Sequence, residues 1–492
     1  DITPFVLGGW SYETESGGGS GQDDHEFDAG LDAFWQPTPD SKLSLSFNTD
    51  FAETEVDQAR VNLTRFSLFF PEKRDFFLED SGYFQFGSGG SDVVPFFSRR
   101  IGLAGSGDEI PINAALKYTG RTDTGTFGLL DAWTDQASTE DGLVDSQNLF
   151  AGRYSHYLDE ETRAGLILTS GDPDGADTGA TTLGLDYTWR TNDFAGDDNL
   201  TVSAYAVAAE NDPDEDQGGM PTALHASIDY PNDELQLEAS VTYIDGDFDP
   251  ALGYVRRPGT KKYRGEWRYR PYLDDDPLLK RLFFSFRPTL YTDTANNLET
   301  LRTVTEVVGL EFDSGDRISL DLLHNVEILD DDFDLLDELL VPAGRYEETR
   351  AGIKLRFADR RELAGNFEVF TGDFWDGTRT DYELELDWRP GPLGSLGLEL
   401  ERNELELAAG SRDIHVARLR TDIAFTPDLS WSTDLQWDDV SEDLTLNSRV
   451  WAIVGPGREV FLVLDQGWSA ANAGFVPTAT NATVKLGYTL RF

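Results

Sequence analysis

At 492 residues the chain is long enough for several soluble domains, and its 91 acidic against 40 basic side chains leave a formal charge of −51. That charge excludes nucleic acid as a partner, because phosphate binding needs a basic surface. There are no cysteines, which excludes thiol catalysis and thiolate metal sites, and no apolar run approaches the roughly 18 residues of a transmembrane helix.

A membrane barrel survives these exclusions, since only alternate residues of its strands face lipid. The acidity fits either a solvated acidic surface, as in organisms of salty water, or a cation-attracting lumen with divalent-ion-binding loops. Aromatics make up 12% of the chain, and interfacial girdles would accommodate them. The chain opens at Asp1 without a methionine or signal sequence, as expected of a processed or truncated product.

In chain order, a first strand is expected over 2–12, then a Gly/Ser/Asp-rich loop over 15–24. A second strand over 26–35 turns at Pro37-Thr38-Pro39-Asp40 into a third over 42–51. An acidic connection over 50–57 leads to a fourth over 60–70. Residues 71–90 break the alternation: charges of both signs cluster there with Phe76, Phe77, Tyr83, Phe84 and Phe86. The stretch reads as an inward-folded constriction or plug, or a periplasmic segment. Glu72, Lys73, Arg74, Phe76, Phe77, Arg99 and Arg100 are its site residues. The alternative is a long turn with its own small apolar cluster.

The run Val61-Asn62-Leu63-Thr64-Arg65-Phe66, then Phe70-Pro71-Glu72-Lys73-Arg74-Asp75-Phe76-Phe77-Leu78-Glu79, Phe97-Ser98-Arg99-Arg100-Ile101-Gly102 and Leu252-Gly253-Tyr254-Val255-Arg256-Arg257 resembles an uncharacterised group of bacterial outer-membrane barrels. In that group a family-9-type carbohydrate-binding module usually precedes the barrel. No such module is expected within this sequence, so the resemblance implies the fold and leaves a glycan-related role open.

Beyond residue 91, strand candidates recur about every 17 to 20 residues, and short turns alternate with longer polar loops, as in outer-membrane barrels. This gives one domain over 1–492: an all-β, single antiparallel transmembrane barrel of about 26 strands, or 24 if the first five are over-counted. An even number places both termini in the periplasm. The last strand shows the pattern plainly: Val484, Leu486, Tyr488, Leu490 and Phe492 alternate with Lys485, Gly487, Thr489 and Arg491. In 381–389, Asp381, Glu383, Glu385 and Asp387 share one face, and Glu399 and Glu401 follow on the next strand. A charge facing hydrocarbon costs roughly 2–4 kcal/mol at the midplane, so these carboxylates are expected in a wet lumen.

Arg256, Arg257, Lys261, Lys262, Arg264, Arg268 and Arg270 form a basic run in this acidic chain. Two readings stand: a lumen or rim patch selecting anions, and neutralisation of neighbouring acidic strands or lipopolysaccharide phosphates. Asp172, Asp174 and Asp177 resemble a fragment of a calcium loop, against the reading of a solvated acidic loop; no other cofactor is expected. None of the five histidines sits at zinc spacing, and no enzyme is expected. Function therefore divides between a Gram-negative outer-membrane channel or transporter, porin-like, passing solutes or a polymer, and a plugged, non-conducting barrel that anchors a surface or periplasmic assembly. Lipid, lipopolysaccharide and periplasmic or surface proteins are the expected partners.

Overall fold

The computed structural model describes the chain except residues 15–21, 50–57, 59, 67, 88–91, 106, 140–141, 176–178, 211–219, 337 and 471–473. A single 24-stranded antiparallel sheet closes on itself. The first strands are β1 (Ile2–Glu13), β2 (Gln22–Thr38) and β3 (Ser41–Phe47); after a 64-residue excursion (48–111) the meander resumes. It continues with β4 (Ile112–Thr122), β5 (Gly125–Thr134), β6 (Asn148–Tyr157), β7 (Thr162–Ser170), β8 (Thr181–Phe194) and β9 (Asp198–Glu210). Next come β10 (Thr222–Pro231), β11 (Leu235–Ile244), β12 (Thr260–Tyr269), β13 (Leu279–Asp293), β14 (Leu298–Phe312) and β15 (Arg317–Leu329). The circuit ends with β16 (Gly344–Phe357), β17 (Leu363–Phe374), β18 (Gly377–Gly391), β19 (Gly394–Leu407), β20 (Gly410–Thr426), β21 (Leu429–Asp438), β22 (Asp443–Gly455), β23 (Arg458–Ser469) and β24 (Val476–Tyr488).

Each strand pairs with its sequence neighbours, and β1 pairs with β24 from Phe5↔Gly487 to Glu13↔Ala479. Closure leaves no exposed sheet edge to recruit another chain.

The strand faces are inverted relative to a soluble protein. On β8, Leu183, Leu185, Tyr187 and Trp189 are exposed, while Thr182, Asp186 and Thr188 between them are buried. On β15, Ile318, Leu320 and Leu322 are exposed and Ser319 and Asp321 buried. On β24, Val484, Leu486 and Tyr488 face out, and Lys485 is buried over the Phe5 ring. Period-2 alternation with the apolar set outside is the pattern of a strand standing in lipid. Among the described residues no helix is long and apolar enough to cross a membrane; the crossing is made by strands, which places the protein in an outer membrane.

The strand number is the smaller of the two expected, and the discrepancy lies at the front. The strand expected over 60–70 does not form among the described residues. Its backbone groups are taken locally: Thr64 N–H donates to Asn62 Oδ1 at 3.0 Å, and Asn62 Nδ2 donates to the Phe66 carbonyl at 2.7 Å. Such Asn-centred turns compete with a ladder. The loop alternation is also looser than expected, because 374–377 and 407–410, on the long-loop side, are themselves tight hairpins.

Candidate functional site: a partitioned lumen

The excursion between β3 and β4 folds into the barrel. Its beginning reaches the β19 wall, where Gln58 Nε2 donates to Glu399 at 2.5 Å. Leu63 is buried with Leu329, Phe374, Trp375, Leu405 and Ile414 near the long-loop rim. Arg65 pairs with Glu327 on β15 at 3.3 Å. The chain then crosses to the opposite wall, β4 to β9.

There it is clamped by inward-facing wall residues. The Lys117 side chain, 1% exposed, donates to the carbonyls of Phe76 and, at 2.5 Å, of Glu79. These carbonyls lie at the end of the short helix α1 (Asp75–Leu78), where unsatisfied C=O groups attract a cation. Arg153 and Asp186, with side chains 2% and 1% exposed, pair at 2.6 Å. Arg153 also donates to the Gln85 carbonyl at 3.0 Å, and the Gly87 N–H donates to Asp186 at 3.2 Å. Phe77 and Phe84 pack with Leu130, Ala132, Leu149 and Ala151, while Phe86 joins Val207 and Ala223. Two wall glycines admit the rings: a Cβ at Gly184 would lie 2.8 Å from the Phe86 ring, and one at Gly128 3.0 Å from Phe84.

Within the segment, Arg74 donates to the carbonyls of Ile101 at 2.6 Å and Ser98 at 2.7 Å, and pairs with Glu72 at 2.7 Å. Burial alone would raise the Glu72 carboxyl, but hydrogen bonds and charge from Arg74, with a hydrogen bond from Ser98, hold it below its ordinary 4.5.

Between Leu63–Phe66 and the walls β12 to β18 lies a chamber of about 420 Å³, lined by nine cationic side chains and two carboxylates, Glu327 and Glu348. Strand register builds it. Arg264, Thr289, Arg302, Asn325 and Glu348 form one row across five strands. Arg287, Val304, Leu323, Arg350, Gly372 and Arg379 form the next. Arg350 pairs with Asp381, and Arg379 donates to Asn403 at 2.6 Å. Arg257, buried, pairs with Glu299 at 2.8 Å and lies over the rings of Phe66 and Tyr291. Trp375 also lines the chamber, held in a left-handed turn at φ 49° with its N–H donating to Glu348 at 2.8 Å.

The expected basic run is divided by strand parity. Lys262, Arg264 and Arg268 point inward and meet Asp92 at 2.6 Å, Glu238 at 3.4 Å and Glu266 respectively. Lys261, of opposite parity, bonds Thr294 and Asn296 at the rim, and Arg270 donates to the Asn232 carbonyl at 3.1 Å beyond the other strand end. Much of the run neutralises carboxylates, while Arg256 and Arg257 line the chamber. The chamber's Arg287, Arg302, Arg350 and Arg379 were not singled out in the sequence; the alternations Arg287-x-Thr289-x-Tyr291 and Thr300-x-Arg302-x-Val304 carried the signal.

The expected acidic face has the parity of the inward residues. Asp381 meets Arg350 and Arg379, Glu385 accepts from Asn366 at 2.9 Å, Glu399 meets Arg418 at 3.4 Å and Glu401 accepts from Asn403 at 2.7 Å. Asp387 pairs with Arg389 at 3.5 Å. Glu383, exposed, has no hydrogen bond or ion pair among the described residues.

The remaining expected residues serve the segment's own anchoring. Lys73 donates its backbone N–H to Glu72 at 3.0 Å, Phe76 lies under Lys117, and Arg99 donates to the Pro71 carbonyl at 3.0 Å. Arg100 pairs with Asp174 at 2.6 Å, and the Gly105 N–H donates to the same carboxylate at 2.7 Å. Asp172 is buried and accepts from the Asp174 N–H at 3.1 Å, while Asp177 lies outside the described residues. Among the described residues no three His, Cys, Asp or Glu side chains gather at metal-binding distance.

A family model described as Domain of unknown function (DUF5916) matches residues 2–144, the stretch containing β1 to β5 and the inward segment. No curated protein matches the chain. Among solved structures, the copper transporter OprC is similar over 77% of this chain and 78% of its own, at 12% identity and a TM-score of 0.47. The siderophore receptor PirA from Pseudomonas aeruginosa is similar over 99% of this chain and 80% of its own, at 8% identity and a TM-score of 0.46. The P pilus usher PapC translocation pore covers both chains fully at 9% identity and a TM-score of 0.33. At those scores the likenesses carry no argument about substrate or mechanism.

Proposed function

We propose that this protein is an outer-membrane channel whose lumen is narrowed by the inward segment 58–111 and passes small solutes along the uncovered wall. The observation that carries this reading is the segment's uneven seat: it touches β15 and β19 near the long-loop rim and then packs along β4 to β9. Inward positions on β4 to β9 are buried beneath it, whereas Asp381, Glu383, Glu385 and Asp387 on β18 remain half-buried or exposed. A barrel of 24 strands is wide, since diameter grows with strand number, and an unfilled one would leak. In this reading the short-turn rim, where Ile2 bridges Leu490, faces the periplasm, and the long loops meet lipopolysaccharide.

A closed anchor for a surface or periplasmic assembly is the second reading. The buried Arg153–Asp186 clamp favours it, because a segment held so firmly suits a permanent plug. Single-channel conductance of the purified barrel in a planar bilayer separates the two. Steady openings support the channel; silence from a barrel shown folded by heat-modifiable electrophoretic mobility supports the anchor.

A further inference from the structure

The chamber between the segment and β12 to β18 holds three cations that no described residue pairs with. Among the described residues, Arg256, Arg287 and Arg302 form no ion pair and no side-chain hydrogen bond, and Arg287 Nε is shielded from solvent without a partner. Arg302 lies in the electrostatic field of Arg350, Arg256 and Arg287. In a chain with 91 acidic side chains, the chamber gathers nine cationic side chains against two carboxylates, Glu327 and Glu348, and the repulsion among Arg256, Arg287 and Arg302 is left largely uncompensated among the described residues.

We infer that this chamber binds a small oxyanion solute carrying two or more negative charges, on phosphate or carboxylate groups, held by Arg256, Arg287 and Arg302. Guanidinium forks match both oxyanions bidentately. Arg287 and Arg302 are diagonal neighbours on adjacent strands, since Arg287 opposes Val304 and Arg302 opposes Thr289; their roots are therefore roughly 7–8 Å apart, a spacing that suits a ligand with two charged groups better than a single ion. Arg256 arrives from a third direction, on the inward loop whose Tyr254 and Val255 pair with Val94 and Val93 of the segment. The Thr289 hydroxyl and Asn325 amide add neutral polar groups within the same row. The volume, about 420 Å³, lies in the range of small-molecule sites and is too small for a macromolecular ligand. As cargo selection this rests on the channel reading; as binding it does not.

Isothermal titration calorimetry of the detergent-solubilised barrel with pyrophosphate and citrate, against neutral maltose, tests it without requiring conduction. Both anions, or either, bind and maltose does not; their rank assigns phosphate or carboxylate cargo. Arg302→Gln and Arg287→Gln each weaken binding about tenfold or more, the scale of one charged hydrogen bond. Arg256→Gln does the same and, lying outside the barrel strands, leaves the sheet intact if a strand variant fails to fold. Absence of binding to both anions, or binding unaffected by Arg256→Gln in a folded barrel, overturns the inference. Conductance without binding sinks the chamber alone; binding in a barrel silent in the bilayer sinks the channel alone.

Discussion

The walls β4 to β9 and β18 to β24 are built on the same alternation, apolar outside and polar or small inside, yet their inner faces have opposite fates. On the first, Ala132, Leu149 and Ala151 are fully buried beneath Phe77 and Phe84, and the charges that remain are locked in pairs such as Arg153–Asp186. On the second, Asp434 meets Arg418 at 2.5 Å and Asn447 donates to Asp465 at 2.5 Å, polar ladders that need no cover. Small apolar residues on an inner face thus mark where something packs against the wall, and rows of carboxylates mark where water does. The largest expected effect follows directly: deleting residues 71–90 should multiply conductance several-fold by unsealing the first wall. An unchanged, closed barrel of normal electrophoretic mobility would mean that the segment restricts nothing.

A subtler break on the sealed side targets the clamp. Arg153→Ala strands Asp186 without its ion pair in a dry site, and breaking such a pair costs roughly 3–5 kcal/mol. The segment should then undock, read as faster protease cleavage between residues 71 and 87 while the barrel stays resistant. The double variant Arg153→Met with Asp186→Leu should recover much of the protection, because an apolar pair of similar volume replaces a buried ion pair at little cost. Equal cleavage in all three proteins would show that the apolar contacts of Phe77, Phe84 and Phe86 hold the segment alone.

Period-2 faces and turn spacing made the barrel legible, since both are local properties: the alternation at 381–389 and 484–488 survives unchanged in the structure. The segment was legible only as an interruption. Residues 60–66 alternate like a strand, and nothing local reveals that Leu63 instead joins Phe374 and Trp375, more than 300 residues away in sequence. The chamber was half visible for the same reason. Arg256 and Arg257 stand in a dense basic run, but Arg287, Arg302, Arg350 and Arg379 are single residues on four strands. Only sheet register assembles them.

On the wet side, charge rather than stability should respond. Glu383→Gln with Glu385→Gln removes two carboxylates from the uncovered wall, and loss of lumenal negative charge lowers the local concentration of cations. The reversal potential in a salt gradient should move toward anion preference by some millivolts, with no change in heat-modifiable mobility. A reversal potential identical to that of the unmodified barrel would place the conduction path elsewhere, and would argue that the acidity of this wall serves solvation only.

The smallest effect concerns pH and one carboxyl. Glu72, held below 4.5 by Arg74 and Ser98, contributes to the segment's internal packing fully above that ordinary value and loses the contribution as pH falls through its depressed one. Protonation removes the ion pair with Arg74, and the Arg74 bonds to the Ile101 and Ser98 carbonyls cannot replace a charge-assisted pair. Protease sensitivity of the segment should therefore rise below pH 4.5 at constant ionic strength, and Glu72→Gln should show the higher sensitivity already at pH 7 with little further change on acidification. The short-turn rim supplies the internal control. Asp316 is held at about 2 by hydrogen bonds from the Ala358 N–H and Ser314, and by Arg361, so the latch between the β14–β15 and β16–β17 turns stays charged while the segment loosens. If barrel and segment became sensitive together, at one pH and with one slope, the acid response would belong to the whole sheet and the Glu72–Arg74 pair would have no separate part in seating the segment.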